Sequence, residues 1–165
     1  MTVTDVRKDP DALTMTFTAE LEATVERAWQ LWADPRQLER WWGPPTYPAT
    51  VVDHDLSPGG RVTYFMTGPD GDKHGGWWEV LAVDPPKRLE LRDGFADESG
   101  APDDAMPTTV TVVTLAERDG GGTVMAVESR FPSLEALEKL VSMGVEEGMR
   151  AAMGQIDAIL AEDAA

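Results

Sequence analysis

The stretch "SLEALEKLVSMGVEEGMRAAMGQIDAILA", residues 133–161, constrains the fold more than any other part of the chain. At helical spacing Leu134, Leu137, Val141, Val145, Met149, Ala152, Ile156 and Ile159 fall on one apolar stripe, with Glu146, Glu147, Arg150 and Asp157 opposite. Ser133 suits an N-cap and Glu135 suits the dipole of the first turn. Read as one continuous helix from about Ser133 to Ala161, the segment is roughly 43 Å long. A helix with such a stripe draws most of its stability from packing, so the rest of the chain must supply an apolar surface of matching length.

Strands supply it. Leu13, Met15, Phe17, Ala19 and Leu21 alternate with Thr14, Thr16, Thr18 and Glu20, the period of a half-buried strand. Two short helices follow. Thr24 caps the first, which carries Val25, Ala28, Trp29 and Trp32 at helical spacing. Asp34 and Pro35 open the second; Gly43 suits a left-handed residue past its end, and Pro44 and Pro45 forbid continuation. "ATVVDHDL", "GRVTYFMT", "WWEVLAV", "RLELR", "TTVTVVTLAE" and "TVMAVESRF" then read as strands joined by Gly/Pro turns, an antiparallel meander. The acidic segment 93–107, "DGFADESGAPDDAMP", reads as a long irregular loop. The expected architecture is α+β: a curved antiparallel sheet wrapped around a long C-terminal helix, with two short helices after the first strand. One domain over residues 1–165 is expected, with 1–10 as a loose N-terminal tail.

Composition removes several functions. With 14 Lys+Arg against 30 Asp+Glu and a net charge of −16, the surface repels nucleic acid and anionic lipid. No cysteine is present, which excludes disulfides and thiolate chemistry. No apolar run reaches the ~20 residues of a membrane span, and "MTVTDVRKDPDAL" lacks a signal core, so a cytoplasmic location is expected.

The ordered set "DPRQLERWWGPP", "DLSPGGRVTYFMTGPDG", "VDPPKRL" and "GGTVMAVESRFPSLEALEKLVSMGVEEGMRAAMGQIDAIL" resembles the bacterial SRPBCC proteins. More narrowly it is similar to the branch like the activator of the 90-kDa heat-shock chaperone ATPase (AHSA-type), from about residue 10 onward. The resemblance implies the helix-grip fold of the START and birch-pollen-allergen superfamily, with an apolar or amphipathic ligand between sheet and helix. The eukaryotic activator stimulates its chaperone through a separate N-terminal domain with an asparagine-rich tryptophan motif. This chain shows no such motif and has no asparagine, so chaperone regulation ranks behind the other readings.

The six tryptophans all precede residue 79. Trp29 and Trp32 read as core; Trp41 and Trp42 close one end of the grip, against core atoms or a ligand. Neighbouring strand residues face opposite ways, so Trp78 is expected inward and Trp77 outward, the latter a candidate homodimer contact. The expected ligand wall comprises Trp42, Tyr64, Met66, Trp78, Met125, Val145, Gly148 and Met149, with Met106 on the 93–107 loop as part of a lid. Gly144 and Gly148 either permit close packing or leave volume for a ligand. Met143 lies off the stripe. His54 and His74 have no metal-ligand pattern, no carboxylate falls in a clear inward phase beside a second titratable group, and no nucleophile or phosphate-loop motif is present. The expectation is therefore an apolar small-molecule binding protein, with no cofactor, metal or catalytic residue assigned. A polyketide cyclase/dehydratase-like enzyme is the alternative, and a protein-interaction module the third reading.

Overall fold

The computed structural model describes residues 3–97 and 99–162. Eight antiparallel strands form one curved sheet: β1 (Val3–Asp9), β2 (Thr14–Leu21), β3 (Ala49–His54), β4 (Arg61–Thr67), β5 (Lys73–Asp84), β6 (Arg88–Ala96), β7 (Thr109–Glu117) and β8 (Thr123–Arg130). Their order across the sheet is β1-β2-β8-β7-β6-β5-β4-β3. Helices α1 (Val25–Ala33) and α2 (Pro35–Trp41) carry the chain from β2 to the far edge at β3. Both start as their sequences require. The Thr24 side chain accepts from the Arg27 N–H, and the Asp34 side chain accepts from the Arg36 N–H with Pro35 following.

The concave face is set by strand alternation. Met15, Phe17, Ala19 and Leu21 of β2 are buried, as are Leu89 and Leu91 of β6, Val113 and Leu115 of β7, and Met125 and Val127 of β8. They join the aromatic residues of α1 and α2 and the C-terminal helices in one cluster.

Three sequence expectations change. Residues 3–9, expected as tail, form β1 and pair with β2 from Val3↔Ala19 to Asp9↔Thr14. Only Val3 and Val6 are apolar there, because an edge strand packs little and its charges discourage further pairing. The two short helices thus follow the second strand. The long C-terminal helix is three segments, α3 (Leu134–Ser142), α4 (Val145–Met153) and α5 (Ile156–Ala161). Gly144 takes the left-handed conformation at φ 87°, and at Gly154–Gln155 the ladder tightens, with the Gln155 N–H donating to Ala152 O at 3.1 Å. The left-handed residue resets the helical phase. Leu140 and Met153, off the expected stripe, are buried, while Leu134 is 47% exposed. Met143 is exposed as expected.

Gly43 provides the third correction. It is not left-handed; instead a Cβ there would stand 2.1 Å from the Tyr47 carbonyl oxygen and 2.8 Å from the Ala49 nitrogen. Its own carbonyl accepts from Gln155 Nε2 at 2.7 Å, tying the end of α2 to the α4–α5 joint. Gly43→Ala is expected to destabilise the fold by about 1–3 kcal/mol, since fixed backbone must move. A denaturant midpoint unchanged from the parent would disprove this account of Gly43.

Candidate functional site

Four indoles and one phenol meet where α1 and α2 cross the sheet. Trp32 lies 4.8 Å from Trp41 and 6.0 Å from Trp78 by ring centroid, and Trp42 lies 4.9 Å from Trp78. Tyr64 adds edge contacts to Trp42 at 6.0 Å and Trp78 at 6.2 Å. Trp41 donates to Leu31 O at 2.9 Å and Trp32 donates to the Met125 sulfur at 3.4 Å. The indole nitrogens of Trp42 and Trp78 are buried without a completed hydrogen bond. Leaving a buried donor in that state costs about 1–3 kcal/mol.

Beside this cluster a cleft of ≈ 430 Å³ opens between the sheet and helices α3–α4. Trp42, Pro44 and Tyr47 form one end. Tyr64, Met66 and Phe95 from the sheet, Phe131 just past β8, and Leu140, Val145, Gly148 and Met149 from the helices supply an apolar and aromatic lining. The remaining wall is polar. Asp93, Thr109, Thr111 and Ser129 occupy inward positions on β6, β7 and β8, with Asp93 paired to Thr109 and Thr111 to Ser129 across the strands.

Two glycines shape the floor. Tyr64 pairs with Gly76 of β5, and a Cβ on Gly76 would lie 2.3 Å from the Tyr64 hydroxyl. The ring therefore lies over Gly76, towards β6. Gly148 meets nothing within 4 Å at its Cβ position, so its missing side chain leaves open volume rather than allowing close packing.

Burial raises the Asp93 carboxyl to about 7, because it borders the cleft on one side and protein crowds the rest. Burial also pushes the Tyr64 phenol well above its usual value, and the neighbouring Asp93 adds to the rise. The neighbouring indole N–H groups of Trp42 and Trp78, which complete no hydrogen bond, act in the opposite sense. At the mouth, His74 pairs with Asp72 at 2.5 Å, which holds the exposed Asp72 carboxyl below its usual range.

Of the residues expected to form the ligand wall, Trp42, Tyr64, Met66, Val145, Gly148 and Met149 line the cleft. Trp78 and Met125 do not. Both are fully buried, Trp78 beneath Trp42 and Tyr64, and Met125 against Trp32. Met106 does not line it either. Asp103 N–H donates to Phe95 O and Asp97 N–H to Ala101 O, folding the loop back onto the end of β6. Residues 93–96, expected in that loop, belong to β6, which places Asp93 inward beside Tyr64 and overturns the expectation that no carboxylate faces in. Glu98 of the same segment lies outside the described residues. Trp77 faces the opposite side from Trp78, covers Gly94 and donates to Phe95 O at 3.0 Å. His54 is engaged with Trp32 O at 2.9 Å.

Asp93 has a folded-state pKa above its unfolded value, so the folded state binds that proton more tightly. The resulting stability is complete below about pH 4 and gone above about pH 7. The full span corresponds to at most ~4 kcal/mol, and contact with the cleft reduces it. Asp93→Asn is therefore expected to match the parent near pH 4 and to exceed it by about 1–3 kcal/mol near pH 8. Denaturant titrations of both proteins across this range test it; a gap widening towards acid would show that the carboxylate form is the stabilised one.

The comparisons agree with this architecture. Protein Ms6760 from Mycobacterium smegmatis is 56% identical over 96% of each chain, with a TM-score of 0.89. A protein from Arthrobacter aurescens is 51% identical over 98% of this chain and 93% of its own, at 0.93, and one from Staphylococcus epidermidis is 26% identical over 97% and 95%, at 0.83. No curated protein matches the sequence significantly. Residues 22–161 match the sequence model described as "Activator of Hsp90 ATPase homolog 1-like protein", and the chain belongs to that family.

Proposed function

We propose that this protein binds a small molecule, apolar over most of its surface, in the cleft between the sheet and the C-terminal helices, without transforming it. The observation that carries this reading is the cleft itself. Its ≈ 430 Å³ falls in the range of small-molecule sites, its lining is mostly aromatic and aliphatic, and Asp93, Thr109, Thr111 and Ser129 are gathered on one wall. Contacts to the apolar body are assigned to Trp42, Tyr64, Met66, Val145, Gly148 and Met149.

An acid–base enzyme, such as a cyclase or dehydratase acting on a polyketide-like substrate, is the second reading, because Asp93 and Tyr64 share the cleft. No hydrogen bond joins them, and neither makes one to a third titratable group among the described residues, which favours binding over proton transfer. Native mass spectrometry of protein purified from its own cells separates the two. One copurified compound supports a binding protein; a precursor and its product together support the enzyme.

Gly148→Leu provides a direct check. The substitution meets open space and replaces the poorer helix former, so thermal stability should hold or rise by about 1 kcal/mol. Affinity for a neutral apolar dye such as N-phenyl-1-naphthylamine should fall roughly tenfold or more as the leucine fills the cleft. Unchanged dye affinity in a folded Gly148→Leu protein would place the dye elsewhere and remove the cleft as the binding site.

A further inference from the structure

The cleft's polar wall has a particular bias in what it offers a ligand. A phenol oxygen has one hydrogen to donate and lone pairs to accept with. Packed on the Tyr64 ring are two buried indole N–H groups, of Trp42 and Trp78, which have no hydrogen-bond partner and favour the accepting role of the phenol oxygen towards them. Those rings are fixed, since Trp42 and Trp78 stand edge-to-face at 4.9 Å and each packs on Tyr64. Tyr64 is held in turn by the gap over Gly76, where even a methyl group would collide with its hydroxyl. The remaining freedom of the hydroxyl is to point its hydrogen away from the indoles.

Among the described residues no lysine or arginine lines the cleft. An anionic ligand would face Asp93 with no cation to offset it. Among the described residues the titratable groups lining the cleft are Asp93 on β6, Tyr64 on β4, His74 on β5, and Tyr47 in the segment after α2; α3 and α4 contribute none. His74 is exposed and engaged with Asp72, so Asp93 and Tyr64 are the pair that meets a deeply seated head group. Below about pH 7, where Asp93 is protonated, that wall presents O–H donors to the ligand.

We propose that Tyr64 is the specificity-determining donor of this cleft, positioned by the indoles of Trp42 and Trp78, and that it selects ligands carrying an uncharged, carbonyl-type acceptor oxygen on an apolar body. The proposal rests on the reading of the cleft as a ligand site and adds the chemistry of the ligand's head.

Three probes of nearly one shape test it: 2-acetylnaphthalene, 2-ethylnaphthalene and 1-(2-naphthyl)ethylamine, which differ in offering an acceptor oxygen, no polar group, or an ammonium. Tryptophan quenching by each is measured with the parent, Tyr64→Phe and Asp93→Asn proteins at about pH 5.5 and about pH 8.5, below and above the Asp93 transition. The parent at the lower pH should bind the ketone roughly tenfold tighter than the hydrocarbon. Tyr64→Phe, which keeps the ring on the wall, should bring the ratio close to one by lowering ketone affinity far more than hydrocarbon affinity. Ketone affinity should fall at the higher pH in the parent and stay level in Asp93→Asn. Equal binding of ketone and hydrocarbon by the parent would overturn the donor role and leave the apolar cleft standing. So would a loss of both probes together in Tyr64→Phe, or the ammonium binding tightest and strengthening with pH. Failure of all three probes to bind would remove the cleft reading and this proposal with it.

Discussion

Packing of Trp32, Trp41, Trp42 and Trp78 against one another determines the rest of this structure. These rings belong to α1, the end of α2 and β5, so their contact fixes the angle at which the two-helix excursion crosses the sheet. Three of the four are fully buried and the fourth, Trp42, is 7% exposed. Their edge-to-face pairs add about 0.5–1.5 kcal/mol each beyond the apolar area they remove from water. The adjacent pair Trp41–Trp42 divides two tasks: Trp41 satisfies its N–H on α1 and closes the core, while Trp42 turns its ring to the cleft. Because Gln155 grips the carbonyl of Gly43 directly afterwards, the same knot also locates the C-terminal helices.

Absent side chains then do as much as present ones. Gly76 and Gly94 sit on adjacent strands and each receives an aromatic ring from its cross-strand partner, Tyr64 on the inner face and Trp77 on the outer. Gly144 turns the helix so that α4 approaches the sheet in a new phase, and Gly148 leaves space at the position where that helix borders the cleft. The cleft is thus produced by a bend and a missing Cβ on one side and by an aromatic ring lying flat on the other. A straight amphipathic helix with a leucine in place of Gly148 would fill it.

Much of the fold was legible in the sequence because it rests on local periodicity. The alternation in residues 13–21, the caps at Thr24, Asp34 and Ser133, and the antiparallel run of strands all reappear with boundaries shifted by a few residues. β1 was hidden because an edge strand carries few apolar residues. The breaks in the last helix were hidden because an apolar stripe survives a phase reset when replacement residues such as Leu140 and Met153 are apolar too. For the site, six of nine expected wall residues line the cleft; Met106 lies on a loop that folds back onto β6, and the other two, Trp78 and Met125, share one cause. Residue type identifies what an apolar pocket uses, but depth separates a wall from the core behind it, which is why Trp78 and Met125 read as wall. Asp93 escaped because an acidic, glycine-containing segment reads as loop, although continuing the β6 phase from Leu89 and Leu91 points to it directly.

Along β6, β7 and β8 the inward positions are Leu89 and Leu91, Val113 and Leu115, Met125 and Val127. Continued towards one end of the sheet, the same phases yield Asp93, Thr111 and Thr109, and Ser129. The change from apolar to polar takes place on three adjacent strands at the same end, the end faced by α3 and α4 around Gly144. Apolar residues there would be at least as good for a packed interior, and buried polar groups without partners are costly. Thr109, Thr111, Ser129 and Asp93 make no side-chain hydrogen bond among the described residues. Three strands therefore give up packing together where the helix also withdraws, and groups able to hydrogen-bond are left facing the gap. A gap made only by imperfect packing would be lined at random; this one has Asp93, Thr109, Thr111 and Ser129 together on one wall and a mostly apolar lining opposite, which supports the proposal that it holds an apolar molecule by its body and orients it by its head.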